Sequence, residues 1–125
     1  MPIKFSSDKP IFLQVADIIK SDIISGKLQA NDKIPSVREL ALFYSINPNT
    51  VQKALQVLED DGLIVTNRTN GKFVAQNTNN LESQKTKTIN SEVELFFEKM
   101  KSFGLSATEI KNLVNKIGDK LWVLF

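Results

Sequence analysis

The stretch "PSVRELALFYSINPNTVQKAL", Pro35 to Leu55, carries two helical apolar patterns with almost nothing between them. In the first, Ser36 followed three residues later by Glu39 forms a capping box, and Val37, Leu40, Ala41 and Tyr44 make the apolar face. In the second, Asn47 can cap the free N–H groups of the next turn, and Pro48 sits at the first helical position, where its missing donor costs nothing. Val51, Ala54, Leu55 and Leu58 then recur at three- and four-residue spacing, a stripe that must face a core. Only Ser45 and Ile46 separate Tyr44 from Asn47. Two short amphipathic helices joined by so tight a turn, with Ile46 available to pack beneath it, describe a helix-turn-helix.

The outward face of the second helix holds Asn49, Thr50, Gln52, Lys53 and Gln56, with no carboxylate until Glu59. Amides, hydroxyls and cations are the groups that hydrogen-bond base edges and phosphates. A polar helix face is more often simply solvated, and it is the neighbouring elements that favour the DNA-facing reading here. Gly62 supplies a helix stop, after which "LIVT" and "KFVA" read as two short strands separated by "NRTNG", with Asn70-Gly71 as the hairpin turn signal. A hairpin directly after a recognition helix is a wing, and its tip carries Arg68, Thr69, Asn70, Gly71 and Lys72 as candidate minor-groove or phosphate contacts. Upstream, Ile11, Val15, Ile18, Ile19 and Ile23 give one more helix, Gly26 ends it, and Leu28 and Ile34 flank a loop. Three helices and a hairpin can share one core. The fold expected is mostly α with a small β-hairpin, a winged helix-turn-helix running from about Lys9 to Gln76 within residues 1–76.

The phrases "KPIFLQVADIIKSDIISGKL", "IPSVRELA", "INPNTVQKALQVLEDDGLI" and "GKFV" resemble the DNA-binding domain of GntR-type bacterial transcription regulators. The Asn-Pro-Asn-Thr-Val phrase and the short remainder of the chain are most similar to the YtrA subfamily. The resemblance implies a homodimeric regulator, usually a repressor, on a two-fold symmetric double-stranded operator; members of the subfamily are often linked to transporter operons. It places Arg38, with Ser36 beside it, at the front of the motif against DNA backbone or a base. It sets Thr50 towards phosphate and Val51 towards the core. Asn47, Asn49, Gln52 and Lys53 complete the DNA-facing set on the recognition helix. Many family members have arginines there, but Pro48 and Gln52 occupy those places in this chain, which favours amide readout, for which adenine is the natural partner. Asn31 stands where the family commonly has glycine, and asparagine best tolerates the left-handed conformation such a turn requires. The family's two-glycine wing pattern is reduced to Gly71.

Composition narrows the alternatives. The chain of 125 residues has a net charge of +2, divided about evenly between its halves, which argues mildly against non-specific coating of nucleic acid but not against an operator-binding face built from a few cations. Cysteine and histidine are both absent, which removes disulfides, thiol chemistry, zinc ligands and the commonest catalytic bases. Glu59, Asp60 and Asp61 cluster where a helix dipole disfavours anions and read as a solvated helix end. No catalytic residue, metal or cofactor is called for. With no signal peptide and no apolar run approaching about twenty residues, a cytoplasmic protein with no membrane partner is expected.

After the wing, residues 77–88 are polar and read equally as a linker or as the exposed start of a long helix. Residues 89–125 follow as a helical region. Ile89, Val93, Phe96, Phe97, Met100 and Phe103 keep helical spacing up to Gly104; Ser106 and Glu109 form a second capping box, followed by Ile110, Leu113, Val114, Ile117, Leu121 and Trp122. A helical hairpin of this length offers little core of its own, so its apolar surface, with the "LWVLF" end, calls for a partner. A second copy of the chain is the simplest one. A small-molecule effector site between the two hairpins, lined by Phe96, Phe97, Met100 and Trp122, is weighed against ordinary packing, which such stripes more often serve. A different class of function, a winged-helix protein-interaction adaptor without DNA binding, is set against the regulator by the exposed face of the recognition helix. Adaptors tolerate acids or apolar residues there, whereas Asn49, Gln52 and Lys53 suit a groove.

Overall fold

A computed structural model of the chain describes residues 4–76 and 78–124, so Asn77 and the terminal Phe125 of "LWVLF" lie outside the described residues. The element order is α1 (Ile11–Ile24), α2 (Val37–Tyr44), α3 (Pro48–Asp60), β1 (Ile64–Asn67), β2 (Gly71–Val74), α4 (Thr78–Ser102) and α5 (Ala107–Leu124). The expected fold class is therefore observed. The chain divides into two compact units, Met1–Ser83 and Gln84–Phe125.

The first unit is the winged helix-turn-helix. Its core is Val15, Ile19 and Ile23 from α1, Leu40 and Tyr44 from α2, Val51, Leu55 and Leu58 from α3, and Leu63, Ile64 and Val74 from the hairpin, joined by Ile34. The α3 stripe is fully inside: Val51, Ala54, Leu55 and Leu58 are each 1% exposed or less. In α1 the buried stripe is Val15, Ala16, Ile19 and Ile23. Ile11, read as part of that stripe, is instead 42% exposed, because it sits at the helix's first residue; Ile18 only packs against the rim of the core. Ahead of α1 the chain is tied back by Gln14, whose Oε1 accepts from the Ser6 N–H at 2.9 Å and whose Nε2 donates to the Ser6 carbonyl at 2.8 Å.

The turn between α2 and α3 is as tight as the spacing implied. The Ile46 N–H bonds the Ala41 carbonyl at 3.0 Å and the Ser45 N–H bonds the Leu42 carbonyl at 3.3 Å, with Ser45 in the left-handed region at φ 57°. The same closing pattern ends α3, where Leu63 N–H reaches Leu58 O at 3.0 Å and Gly62, at φ 77°, reaches Glu59 O at 3.0 Å. Ser45 thus holds a position that glycine usually fills at a helix end. Asn31, at φ 70°, adopts the left-handed conformation expected of it.

β1 and β2 pair antiparallel with Ile64 opposite Val74 and Asn67 opposite Gly71. The turn differs from the expected Asn-Gly type. The strands close at Asn67 and Gly71, leaving Arg68, Thr69 and Asn70 as the loop, and the Asn67 Oδ1 organises it by accepting from the Thr69 N–H at 3.0 Å and the Asn70 N–H at 3.3 Å. The segment read as a loop between Leu28 and Ile34 covers the free edge of β2. Asn31 N–H donates to Val74 O at 3.0 Å, Val74 N–H to Asp32 O at 2.8 Å and Ile34 N–H to Lys72 O at 2.8 Å, with a bridge between Lys33 and Phe73. An exposed strand edge is a liability for aggregation, and this segment removes it.

In the second unit, α4 ends at Ser102, Gly104 turns the chain at φ 89°, and the capping box at Ser106 opens α5, with the Glu109 N–H donating to Ser106 Oγ at 3.2 Å and the Ser106 N–H to Glu109 Oε1 at 3.0 Å. From Thr78 onward the polar run left open by the sequence is helical.

Candidate nucleic-acid interface

Two caps set the front of the motif. At α3 the Asn49 N–H donates to Asn47 Oδ1 at 2.8 Å, and Pro48 begins the helix. At α2 the Glu39 N–H donates to Ser36 Oγ at 3.1 Å while the Ser36 N–H donates to Glu39 Oε1 at 3.3 Å, the reciprocal capping box. Because Val51, Ala54, Leu55 and Leu58 are locked inside, Asn49, Gln52 and Lys53 are exposed and Thr50 is half-buried beside them. Arg38 is exposed on α2, and no ion pair restrains it among the described residues. The Lys53 ammonium lies 5.9 Å from the centre of the Phe12 ring of α1, which props its stem without neutralising its charge. Gln56, also on the outward face, donates from Nε2 to Asp60 Oδ1 at 2.8 Å and is turned along the helix towards its end.

The wing divides its predicted residues into two groups. Arg68 and Asn70 are exposed at the tip, and Gly71, at φ 102°, begins the return strand. Lys72 points the other way. Its ammonium donates to Glu59 Oε1 at 3.1 Å and to Thr66 Oγ1 at 2.7 Å, and its side chain is 23% exposed. The Thr66 hydroxyl also donates to Glu59. The reading of Glu59 as part of a solvated helix end is thereby corrected, because β1 and β2 fold back over the end of α3 and bring a hydroxyl and an ammonium to it. The Thr66 hydroxyl, and after it Lys72, holds the Glu59 carboxyl below its ordinary range.

A recess of about 330 Å³ connects the start of α2 to the wing; Lys33, Ser36, Arg68, Asn70, Gly71 and Lys72 are among its lining residues. Lys33 and Arg68 beside a helix N-terminus favour an anion, whereas the Lys72 charge is already answered by Glu59. Lys33 is the contributor that sequence reasoning missed. It belongs to the segment read as a loop, and only the pairing of that segment with β2 brings Lys33 beside the wing, its Cε 3.6 Å from where a side chain on Gly71 would begin.

The apolar residues read from the sequence as a dimer seam lie in α4, α5 and the turn between them. Ile89, Val93, Phe96, Phe103, Leu113, Val114, Ile117, Leu121 and Trp122 are all exposed, while Phe97 and Met100 are half-buried. Ile110, named with them, is 1% exposed and packs inside its own hairpin, since it follows the capping box on the first inward turn of α5. A groove of about 310 Å³ runs between Phe96 and Met100 of α4 and Leu113, Val114, Ile117 and Leu121 of α5. Among the described residues no cluster of acidic, histidine or cysteine side chains could hold a metal ion, and no helix is long and apolar enough to cross a membrane.

The Glu59 contacts give a pH-dependent expectation. A carboxyl whose folded pKa is depressed contributes stability above its unfolded pKa, and that contribution is lost as pH falls through the folded value. Glu59→Gln should therefore cost up to about 1 kcal/mol at neutral pH, and the difference from the parent should close below the ordinary carboxylate range. Urea denaturation of both proteins across that range checks it; a constant difference at every pH would mean that charge on Glu59 contributes nothing.

Comparison with known proteins agrees with this geometry. The model of bacterial regulatory proteins of the gntR family matches residues 12–74. The HTH-type transcriptional repressor YtrA of Bacillus subtilis is 35% identical over 101 residues, covering 81% of this chain and 73% of that protein. A GntR family transcriptional regulator from Listeria monocytogenes superposes with a TM-score of 0.83 at 33% identity, over 90% of this chain and 98% of that one. The AraR DNA-binding domain, solved in complex with operator ORX1, superposes with a TM-score of 0.55 at 29% identity, over 60% of this chain and 95% of that one. With its capped α3, its wing and its short helical unit, the chain belongs to the gntR family of bacterial regulatory proteins, as a YtrA-like transcription regulator of the DNA-binding, winged helix-turn-helix type and not an enzyme.

Proposed function

We propose that the protein is a homodimeric repressor that binds a two-fold symmetric operator, acting in the cytoplasm. The observation that carries this reading is the face of α3. Asn49, Gln52 and Lys53 are exposed together with no carboxylate or large apolar side chain among them, the residue types a major groove accommodates and a protein-docking surface does not require. Arg38 on α2 and Arg68 on the wing, both without ion-pair partners among the described residues, are assigned to phosphates. The operator complex of the AraR domain and the repressor role in the name of the Bacillus relative support the same reading.

In this reading Arg38 positions and the amides specify. Arg38→Ala should weaken binding to all duplex sequences nearly alike and lower the salt slope by roughly one unit. Asn49→Ala and Gln52→Ala should leave the slope unchanged and relax preference at one or two positions of each half-site, at a cost of about 1–3 kcal/mol there. Titrations of the three variants at several salt concentrations separate the roles. An Arg38 variant that lost discrimination at one base pair while keeping its salt slope would make Arg38 a base reader.

The dimer is assigned to the hairpin because, among the described residues, most of the exposed large apolar side chains lie there. A single winged helix covers one half-site, and with a net charge of +2 the chain has little non-specific attraction to compensate. Two recognition helices on one duplex are spaced about 34–36 Å apart, one helical turn, or a multiple of that. Phe96 and Ile117 are 43% and 49% exposed, so replacing each with aspartate leaves the core of the hairpin intact while placing charge in the seam. The double variant should sediment as a folded monomer and bind operator DNA weakly. A variant that stayed dimeric and bound as tightly as the parent would move the interface elsewhere.

A further inference from the structure

The winged unit has a second recess that contains no residue of α3 or of the wing. It lies between α1, the segment from Leu28 to Pro35, and α2, and its volume is about 340 Å³, within the range that holds small molecules. Its walls are mostly apolar, with Ile19, Leu28 and Phe43 among them, and the charged residues that line it are both acidic: Asp22 and Glu39. No cation answers the Asp22 carboxylate among the described residues, and Glu39 uses Oε1 in the capping box, leaving its second oxygen.

A third polar group, Tyr44, shares the recess with the two acids and feels the charge of Asp22. Tyr44 lines the recess and is 6% exposed, yet no hydrogen bond to its hydroxyl is formed among the described residues. Among the described residues no fully enclosed side-chain oxygen or nitrogen lacks a partner, so this oxygen is not sealed into the core. A hydroxyl at that edge, with no protein partner among the described residues, is free to bond a group that enters the recess. Phe43 packs edge to face on Tyr44 with ring centres 5.0 Å apart, and Phe43 itself is 55% exposed, which puts an aromatic surface at the mouth. Two carboxylates, a free phenolic oxygen and aromatic walls are the chemistry that holds a protonated amine on an apolar body.

We propose that the winged unit binds a small organic cation, a primary ammonium carried on an apolar body, in the recess between α1 and α2. Asp22 and Glu39 take the ammonium, the Tyr44 hydroxyl accepts one of its N–H groups, and the body lies against Ile19, Leu28 and Phe43. The site does not depend on how the protein contacts DNA. It adjoins the DNA-facing surface at Ile34 and Pro35, which line both recesses, and at Glu39, whose other oxygen closes the capping box on Ser36.

The test uses the full chain with 3-phenylpropylammonium as probe and 3-phenylpropan-1-ol as its neutral counterpart, followed by amide NMR shifts. The ammonium should give saturable shifts centred on residues 19–44 and bind about tenfold more tightly than the alcohol, the scale of one charge-assisted hydrogen bond. Asp22→Asn and Glu39→Gln should each remove that advantage and leave the alcohol unaffected; glutamine at residue 39 still completes a capping box, so α2 keeps its start. Equal binding of the two probes would overturn the proposal, as would shifts confined to the α4–α5 groove. Shifts at residues 19–44 that grew with protein concentration in the absence of probe would give the recess to a second copy of the chain instead.

Discussion

Burial of Val51, Ala54, Leu55 and Leu58 fixes the rotation of α3 about its own axis, and the face that the helix turns outward follows from it. Four side chains held at 1% exposure or less leave no freedom to turn, so Asn49, Gln52 and Lys53 face solvent as a matter of helical geometry. The caps then set where the helix begins. Asn47 holds the first turn and Pro48 pre-sets its φ, while the left-handed Ser45 delivers the chain from α2 at the angle a helix-turn-helix requires.

Charge is used sparingly and in fixed places. With a net charge of +2 the molecule cannot rely on a broad positive field, and its cations are disposed individually. Lys72 is spent inside the protein, bridging Glu59 and Thr66 so that the hairpin is fastened to the end of α3. Arg68 and Lys33 are left around the recess at the start of α2. A wing fastened by an internal ion pair keeps its tip in one position relative to α3, which a mobile hairpin would not.

Most of this architecture is legible in the sequence because it rests on local rules. Ser36 with Glu39 and Ser106 with Glu109 announce two helix starts, Gly62 and Gly104 two helix ends, and the α3 stripe is visible as spacing alone. Asn31 was readable as a left-handed residue for the same local reason. What the sequence hides depends on residues far apart in the chain. Nothing near Lys33 says that its segment pairs with β2, and nothing near Lys72 or Glu59 says that the hairpin brings them together. Ser45 in a glycine-like conformation is hidden differently: the two-residue turn demands it, whereas serine does not advertise it. Ile110 shares the spacing of its exposed neighbours, and only the approach of α4 decides that it points inward.

The central claim is that the outward face of α3 reads DNA as part of a symmetric pair. Selection of bound sequences by the full-length protein from a pool of random duplexes tests it most directly. The account predicts an enriched two-fold symmetric motif with adenine-containing half-sites whose centres lie about 10–10.5 base pairs, or a multiple of that, apart. No enrichment, or a single unsymmetrical site bound equally well by the Asn49→Ala and Gln52→Ala variants, would contradict it.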